Sequence, residues 1–181
     1  MQNNLEKKAL ILFLIKKMGE KGSWCGETHV QKCLFFLQEL MKVPLNYNYI
    51  LYKHGPFSFD LRSELTEMRA HHYLELLPRE PYGPSIVPGR FAFLLEKKYS
   101  EAISQYSEQV EFIANCLASK PVRELEQLAT ALYVKTRKKI ESEDELVKKI
   151  VELKPHISPE GAYTALKFIE QLERSLLTGN V

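Results

Sequence analysis

Between Thr28 and Met41 the apolar residues Val30, Cys33, Leu34, Leu37, Leu40 and Met41 recur at the i, i+3, i+4, i+7 spacing of one helical face. Phe35 and Phe36 widen that face until little of the helix is left for water. A helix of this kind must be covered by other elements, so the chain is committed to a packed, mostly helical core. Thr28 stands where an N-cap would, and Pro44 stops the helix.

The covering elements are legible on both sides. Asn3 or Asn4 can cap a first helix running to about Met18, ended by Gly19 and Gly22. Residues 47–53 are dense in Tyr, Ile and Leu, with Asn46 and Asn48 alternating against Tyr47 and Tyr49, which predicts a strand. Gly55-Pro56 then turns the chain, and Ser58 caps a third helix with Leu61, Leu65 and Met68 on one face, fading near His71 or His72. Over residues 73–95 six Pro and Gly interrupt short apolar pieces, so short strands with turns are expected there, and helix is not.

Tyr99, Ala102, Ile103, Tyr106, Val110, Ile113, Ala114 and Leu117 form one helical stripe, and Pro121 opens a helix with Leu125, Leu128, Ala129 and Leu132. Ser142 with Glu145 makes a capping box ahead of Leu146, Ile150 and Leu153. Ser158-Pro159 opens a last helix striped by Tyr163, Leu166, Ile169, Leu172 and Leu176, with Gly179 just past its end. The order helix, helix, strand, helix, hairpin predicts an α+β, mostly α fold. Residues 1–95 form a winged-helix-like half with a small β-hairpin, packed against a helical half at 96–181, the whole a single domain with no linker, repeat or low-complexity tract.

Composition narrows the function classes. The 181 residues carry 25 Lys plus Arg against 23 Asp plus Glu, too even a balance for a nucleic-acid protein read from net charge. Positive charge gathers early, with eight Lys against four Glu through Ser58, so any attraction to an anionic partner belongs to the first third. Lys7, Lys8, Lys16 and Lys17 are its best candidates for contacts with duplex DNA. They bracket residues 9–15, an apolar run far short of the roughly 20 residues a membrane span needs. Three Cys without a CxxC pair spell neither a disulfide framework nor a zinc knuckle, and fit a reducing cytoplasm.

No catalytic constellation emerges. His71 and His72 are adjacent, so on a helix they point about 100° apart, whereas two ligands of one metal sit three or four residues apart. Cys25, Cys33, His29 and Ser23 lack a nucleophile elbow or oxyanion signature, and Cys33 falls inside the apolar stripe. No glycine-rich phosphate loop occurs. Glu64 with Glu67 and Asp144 with Glu145 suit solvated helical faces or first turns. The run Lys135, Arg137, Lys138 and Lys139 ends a helix, where cations complement the dipole. The expectation is a chain that is not an enzyme and needs no metal or cofactor.

The stretch from Val30 to Leu37, VQKCLFFL, followed by Tyr52-Lys53-His54-Gly55-Pro56-Phe57-Ser58 and Leu61, resembles the YwgA and Panacea (SocA-like) group, in which a QKLLYFL helix precedes a YKYGPYS turn. It is similar as well to the C-terminal domain of DarG-type antitoxins. Residues 124–133, ELEQLATALY, resemble a further helix of YwgA-like proteins, and Lys154-Pro155 the KP that follows it. The resemblance implies a winged-helix-like domain without catalysis, used in several members to bind and silence a protein toxin.

On that reading Gln31, Lys32, Gly55, Pro56, Phe57, Ser58 and Leu61 are structural, and Lys53, His54, Arg62, Arg69, His71 and His72 are assigned to partner contact. His54 replaces a commoner aromatic residue, and His71-His72-Tyr73 stands where DarG-like domains often carry a glycine. No macrodomain is present, so its de-modifying activity does not transfer. The expected function is an antitoxin-like interaction module whose partner is a toxin or another product of a neighbouring gene. The alternatives are a winged-helix DNA-binding regulator and, third, an enzyme of unknown class.

Overall fold

The computed structural model describes residues 4–138, 140 and 142–178, with the side chain of Tyr82 left aside. Asn3, Lys139 and Gly179, each given a role above, lie outside the described residues. About 65% of the described residues are helical, and two small antiparallel sheets of two strands each stand among them, so the fold is α+β and mostly α.

The first helix, α1 (Asn4–Glu20), is buried at Lys8 through Leu12, Leu14, Ile15 and Met18, which is more than one face. An all-round apolar helix belongs at the centre, and α1 packs there. The second, α2 (Glu27–Glu39), buries every residue from His29 to Leu37. It starts before the expected cap: Gly26, in extended conformation, is the N-cap, and Thr28 lies inside the first turn.

Only Ile50–Tyr52 of the expected strand is β1, and it pairs with β2 (Gly55–Phe57) as a hairpin, in register Ile50 with Phe57. The expectation that Gly55-Pro56 leads straight into a helix therefore missed a strand three residues long. Gly55, at φ +81°, makes the reversal. Ser58 caps α3 (Phe59–Ala70) as expected, accepting from the Leu61 N–H at 3.3 Å.

Strands β3 (Leu74–Arg79) and β4 (Tyr82–Pro88) form the second hairpin. It stays separate from β1, so the two sheets do not merge. The expected strand piece at residues 91–95 is instead the start of α4 (Ala92–Lys98). Gly89 closes the sheet, and the following AFLLEKK is rich in strong helix formers.

The long stripe from Tyr99 is broken into α5 (Ser100–Gln105) and α6 (Ser107–Leu117), with Tyr99 and Tyr106 at non-helical joints. Because α4, α5 and α6 all pack on α1, the bends wrap one apolar stripe around that helix. The rest is α7 (Val122–Arg137), α8 (Glu143–Leu153) and α9 (Pro159–Leu177). Pro121 is the N-cap of α7, so the helix begins one residue later than expected. The capping box of α8 does not form, since the Ser142 side chain makes no cap bond. The first-turn acids of α8 turn to α9 instead: Asp144 accepts from Tyr163 and Glu143 pairs with Lys167 at 3.0 Å.

The two halves share one core. Helix α2 packs on both α6 and α7, and Phe35 of α2 meets Tyr49 at 4.9 Å and Tyr133 of α7 at 6.3 Å between ring centres. Among the described residues no helix is long and apolar enough to cross a membrane.

Candidate functional site

The motif residues close on each other beneath the first hairpin. The Gln31 amide binds both backbone groups of Ser58, donating to its carbonyl at 3.0 Å and accepting from its N–H at 3.1 Å. Lys32, only 1% exposed, donates its Nζ to the Pro56 carbonyl at 2.8 Å. A side chain at Gly55 would place Cβ 3.0 Å from the Thr130 hydroxyl of α7. Lys154, after α8, donates to the carbonyls of Tyr52 at 2.5 Å and Lys53 at 2.6 Å.

A buried carboxylate balances these ammonium groups. Glu126 of α7 faces His156 at 3.1 Å, His54 at 3.5 Å and Lys154 at 3.8 Å. Burial pulls the pKa of Lys32 down to about 8, Glu126 opposing the shift and Lys154 adding to it. Each donor is spent on hairpin backbone, so the cluster is a clamp that fixes the shape of β1 and β2, with Leu61 buried beside it. It leaves no ammonium aimed at open solvent.

Above the clamp the hairpin turns an apolar face outward. Tyr52 is 52% and Phe59 48% exposed, and Ile50 is exposed beside them. Tyr52, Phe57 and Phe59 stack on one another with ring centres 5.1–5.8 Å apart. The exposed Lys53 and His54 sit at the tip of the same hairpin.

Arg62 and Arg69 lie elsewhere, on the α3 face that borders a cleft of about 1020 Å³. The cleft is walled by α3, the β3–β4 hairpin, the start of α2 and the turn from α6 to α7. Trp24, absent from the sequence reading, lines it, and its indole N–H donates to the Gly83 carbonyl at 3.0 Å. The Arg79 guanidinium lies 5.0 Å from the Trp24 ring centre. Arg62 faces Glu27 at 3.5 Å, and Arg69 donates to the Thr66 hydroxyl at 3.0 Å. Among the described residues neither Arg69 nor Arg79 has a carboxylate partner.

His71 and His72 are at the far end of α3, about 18 Å from its start by helical rise. His71 is exposed, and His72 adopts φ +56° with its ring 6.0 Å from Phe91. The six residues assigned to partner contact thus fall in three places: the hairpin tip, the cleft and the end of α3.

The lysines assigned to DNA are all matched within the chain. Lys7 pairs with Glu64 at 3.1 Å and Lys8 with Glu67 at 2.5 Å. Lys16 pairs with Glu96 at 2.8 Å, and Lys17 with Glu111 at 2.6 Å and Glu20 at 3.0 Å. They tie α1 to the elements around it.

Cys25 and His29 do not meet. The Cys25 thiol points to the Ile15 carbonyl at 3.6 Å and burial raises its pKa, while His29 contacts the Lys120 carbonyl at 3.2 Å. Cys33 is in the core, its pKa raised by burial. Neither thiol is poised as a thiolate nucleophile. Among the described residues no three His, Cys, Asp or Glu gather as metal ligands.

The signal for the clamp was the family resemblance, whose motifs include Gln31-Lys32, Gly55-Pro56, Glu126 and Lys154, but no spacing rule said that these residues meet. The cleft had no local signal, because its arginines come from α3 and from a hairpin wall. No family model matches the chain, and no curated protein matches it.

Proposed function

We propose that the chain is a non-catalytic protein-interaction module of the antitoxin type, binding and neutralising a partner protein such as a toxin encoded beside it. The observation that carries this reading is the cluster of exposed Ile50, Tyr52 and Phe59 around half-buried Phe57, on the first hairpin and the adjoining start of α3, with the hairpin held by the Lys32, Glu126 and Lys154 clamp. Stacked aromatic side chains on a rigid support are the composition of an interface centre, and rigidity lowers the entropic cost of docking. The resemblance of the motifs at Val30 to Leu37, Tyr52 to Ser58, residues 124–133 and Lys154-Pro155 to those of the YwgA and Panacea group supports the same function. The internal pairing of Lys7, Lys8, Lys16 and Lys17 weighs against the DNA-binding alternative, since a phosphate would have to displace a carboxylate at each.

Coexpression with the product of the neighbouring gene tests the reading. A stoichiometric complex that survives high salt is expected, and a folded Tyr52→Ser, Phe59→Ser variant should lose it. Sequence-selective duplex binding that weakens with a slope of about −0.9 per phosphate in log salt would establish the DNA reading instead.

A further inference from the structure

The cleft between α3 and the β3–β4 hairpin has a chemistry of its own, distinct from the aromatic face of the first hairpin. Among the described residues its cations are Arg62, Arg69, Arg79 and Lys120, and Glu27 is its one acidic wall residue. Lys120 is neutralised by Glu124, and Arg62 is held near Glu27. Arg69 and Arg79 are left as charges without a carboxylate among the described residues. The first turn of α2 opens into the same space behind Gly26, whose lack of a side chain leaves the N-terminal N–H groups without a side-chain cap.

The spacing of these charges decides between kinds of anion. Arg62 and Arg69 are seven residues apart on α3, about 10 Å by helical rise, and Arg79 stands on another wall. Guanidinium groups so dispersed do not converge on one phosphate; they suit an extended chain with several separated charges. Between them the wall is aliphatic, with Leu65, Leu76 and Ile86 lining the cleft. Among the described residues that line it, Trp24 is the one Trp, Tyr or Phe, already engaged by Arg79 and Gly83. Stacked nucleobases need a series of aromatic faces, whereas aliphatic walls between arginines match a peptide that alternates acidic and aliphatic residues.

We propose that this cleft receives an extended acidic segment of a protein partner, with carboxylates on Arg62, Arg69 and Arg79 and an aliphatic side chain against Leu65, Leu76 and Ile86. The proposal rests on the interaction-module reading and names the chemistry of a second contact for it. The aromatic patch and the cleft adjoin at the start of α3, where Phe59 and Arg62 are three residues apart, so one partner can engage both and loss of either weakens the complex.

A library of random tryptophan-free dodecapeptides panned on the full chain tests it. Trp24 is the chain's one tryptophan and lines the cleft, so its emission reports occupancy directly. Enrichment of peptides alternating Asp or Glu with Leu, Ile or Val is expected, with saturable change in Trp24 emission. Affinity should fall at least tenfold in Arg69→Gln, Arg79→Gln and further in Arg69→Glu, Arg79→Glu, both folded by circular dichroism. The proposal is overturned if no acidic peptide is enriched, if binding leaves Trp24 emission unchanged, if the Gln variant binds equally well, or if oligo-dT of twelve nucleotides binds more tightly than the best peptide. Should any of these occur while the coexpressed partner still copurifies, the cleft assignment fails and the module reading stands. If acidic peptides bind as expected and no partner copurifies, the cleft assignment holds and the module reading fails.

Discussion

Lys32 offers the sharpest quantitative test of the clamp. Its ammonium group is 1% exposed, and its pKa falls from an ordinary 10.5 to about 8 in the fold. Between those values the unfolded chain binds more protons than the folded one, so stability rises with pH across the window. Below pH 8 both states are protonated, and the charge carries its full burial penalty, about 3 kcal/mol. By pH 9.5 the folded lysine is mostly neutral, and about 2 kcal/mol of that penalty is relieved.

The perturbation is Lys32→Met, which keeps the length of the side chain and removes its charge. It also strips the Pro56 carbonyl of its donor, a cost of about 1–3 kcal/mol that does not depend on pH. At pH 7 the two effects nearly offset each other. The informative quantity is therefore the stability gap between wild type and variant, from urea unfolding at pH 7 and pH 9.5, in which titrations common to both proteins cancel. The gap should move by about 2 kcal/mol in favour of the wild type as pH rises. A gap constant within about 0.5 kcal/mol would show that Lys32 is not buried as a strained cation, and the reasoning would be refuted.

Three backbone positions give further tests. His72 occupies the left-handed position after α3, with the Tyr73 N–H bonded to the Met68 carbonyl and the His72 N–H to the Arg69 carbonyl, both at 2.9 Å. His72→Gly should raise stability by about 0.5–1 kcal/mol in urea unfolding, and a loss would mean that the ring's contact with Phe91 outweighs the backbone strain. At Gly89 a Cβ would sit 2.4 Å from the His72 carbonyl oxygen, so Gly89→Ala should cost at least about 2 kcal/mol by the same measurement. Gly55→Val meets both φ +81° and the Thr130 hydroxyl, and about 2 kcal/mol should appear as a melting point lower by about 4–8 °C. An unchanged melting point would show that the turn tolerates a side chain.

Local rules carried the sequence reading wherever one residue's chemistry fixed its own neighbourhood. The stripe from Val30 to Leu37 required a buried helix in any packing, though the helix ends at Glu39, short of Leu40, Met41 and Pro44, and Ser58 and Ser158 cap their helices because a serine ahead of a helix can satisfy a free N–H without help from elsewhere. The same rules failed where distant partners competed. Ser142 and Glu145 have capping-box spacing, but the acids of that turn are drawn to Lys167 and Tyr163. The stripe from Tyr99 to Leu117 has helical period, yet it bends at Tyr99 and Tyr106 to follow α1.

The candidate sites divide in the same way. The Gln31, Lys32, Gly55 and Pro56 pattern was visible as a motif, because a turn and the helix that holds it are close in sequence. That Glu126 and Lys154 complete its charge balance was not, since they arrive from nearly a hundred residues away. Lys7, Lys8, Lys16 and Lys17 looked like a cationic surface until the fold set a carboxylate beside each. Sequence alone determined most of the helical segments, where α3 and α9 begin and which faces must be buried, since those follow from period and capping; it missed α4 and the break between α5 and α6. Only the tertiary structure decided which charges are spent internally and which, as at Arg69 and Arg79, have no carboxylate among the described residues, because neutralisation depends on distances across the fold that no linear spacing records.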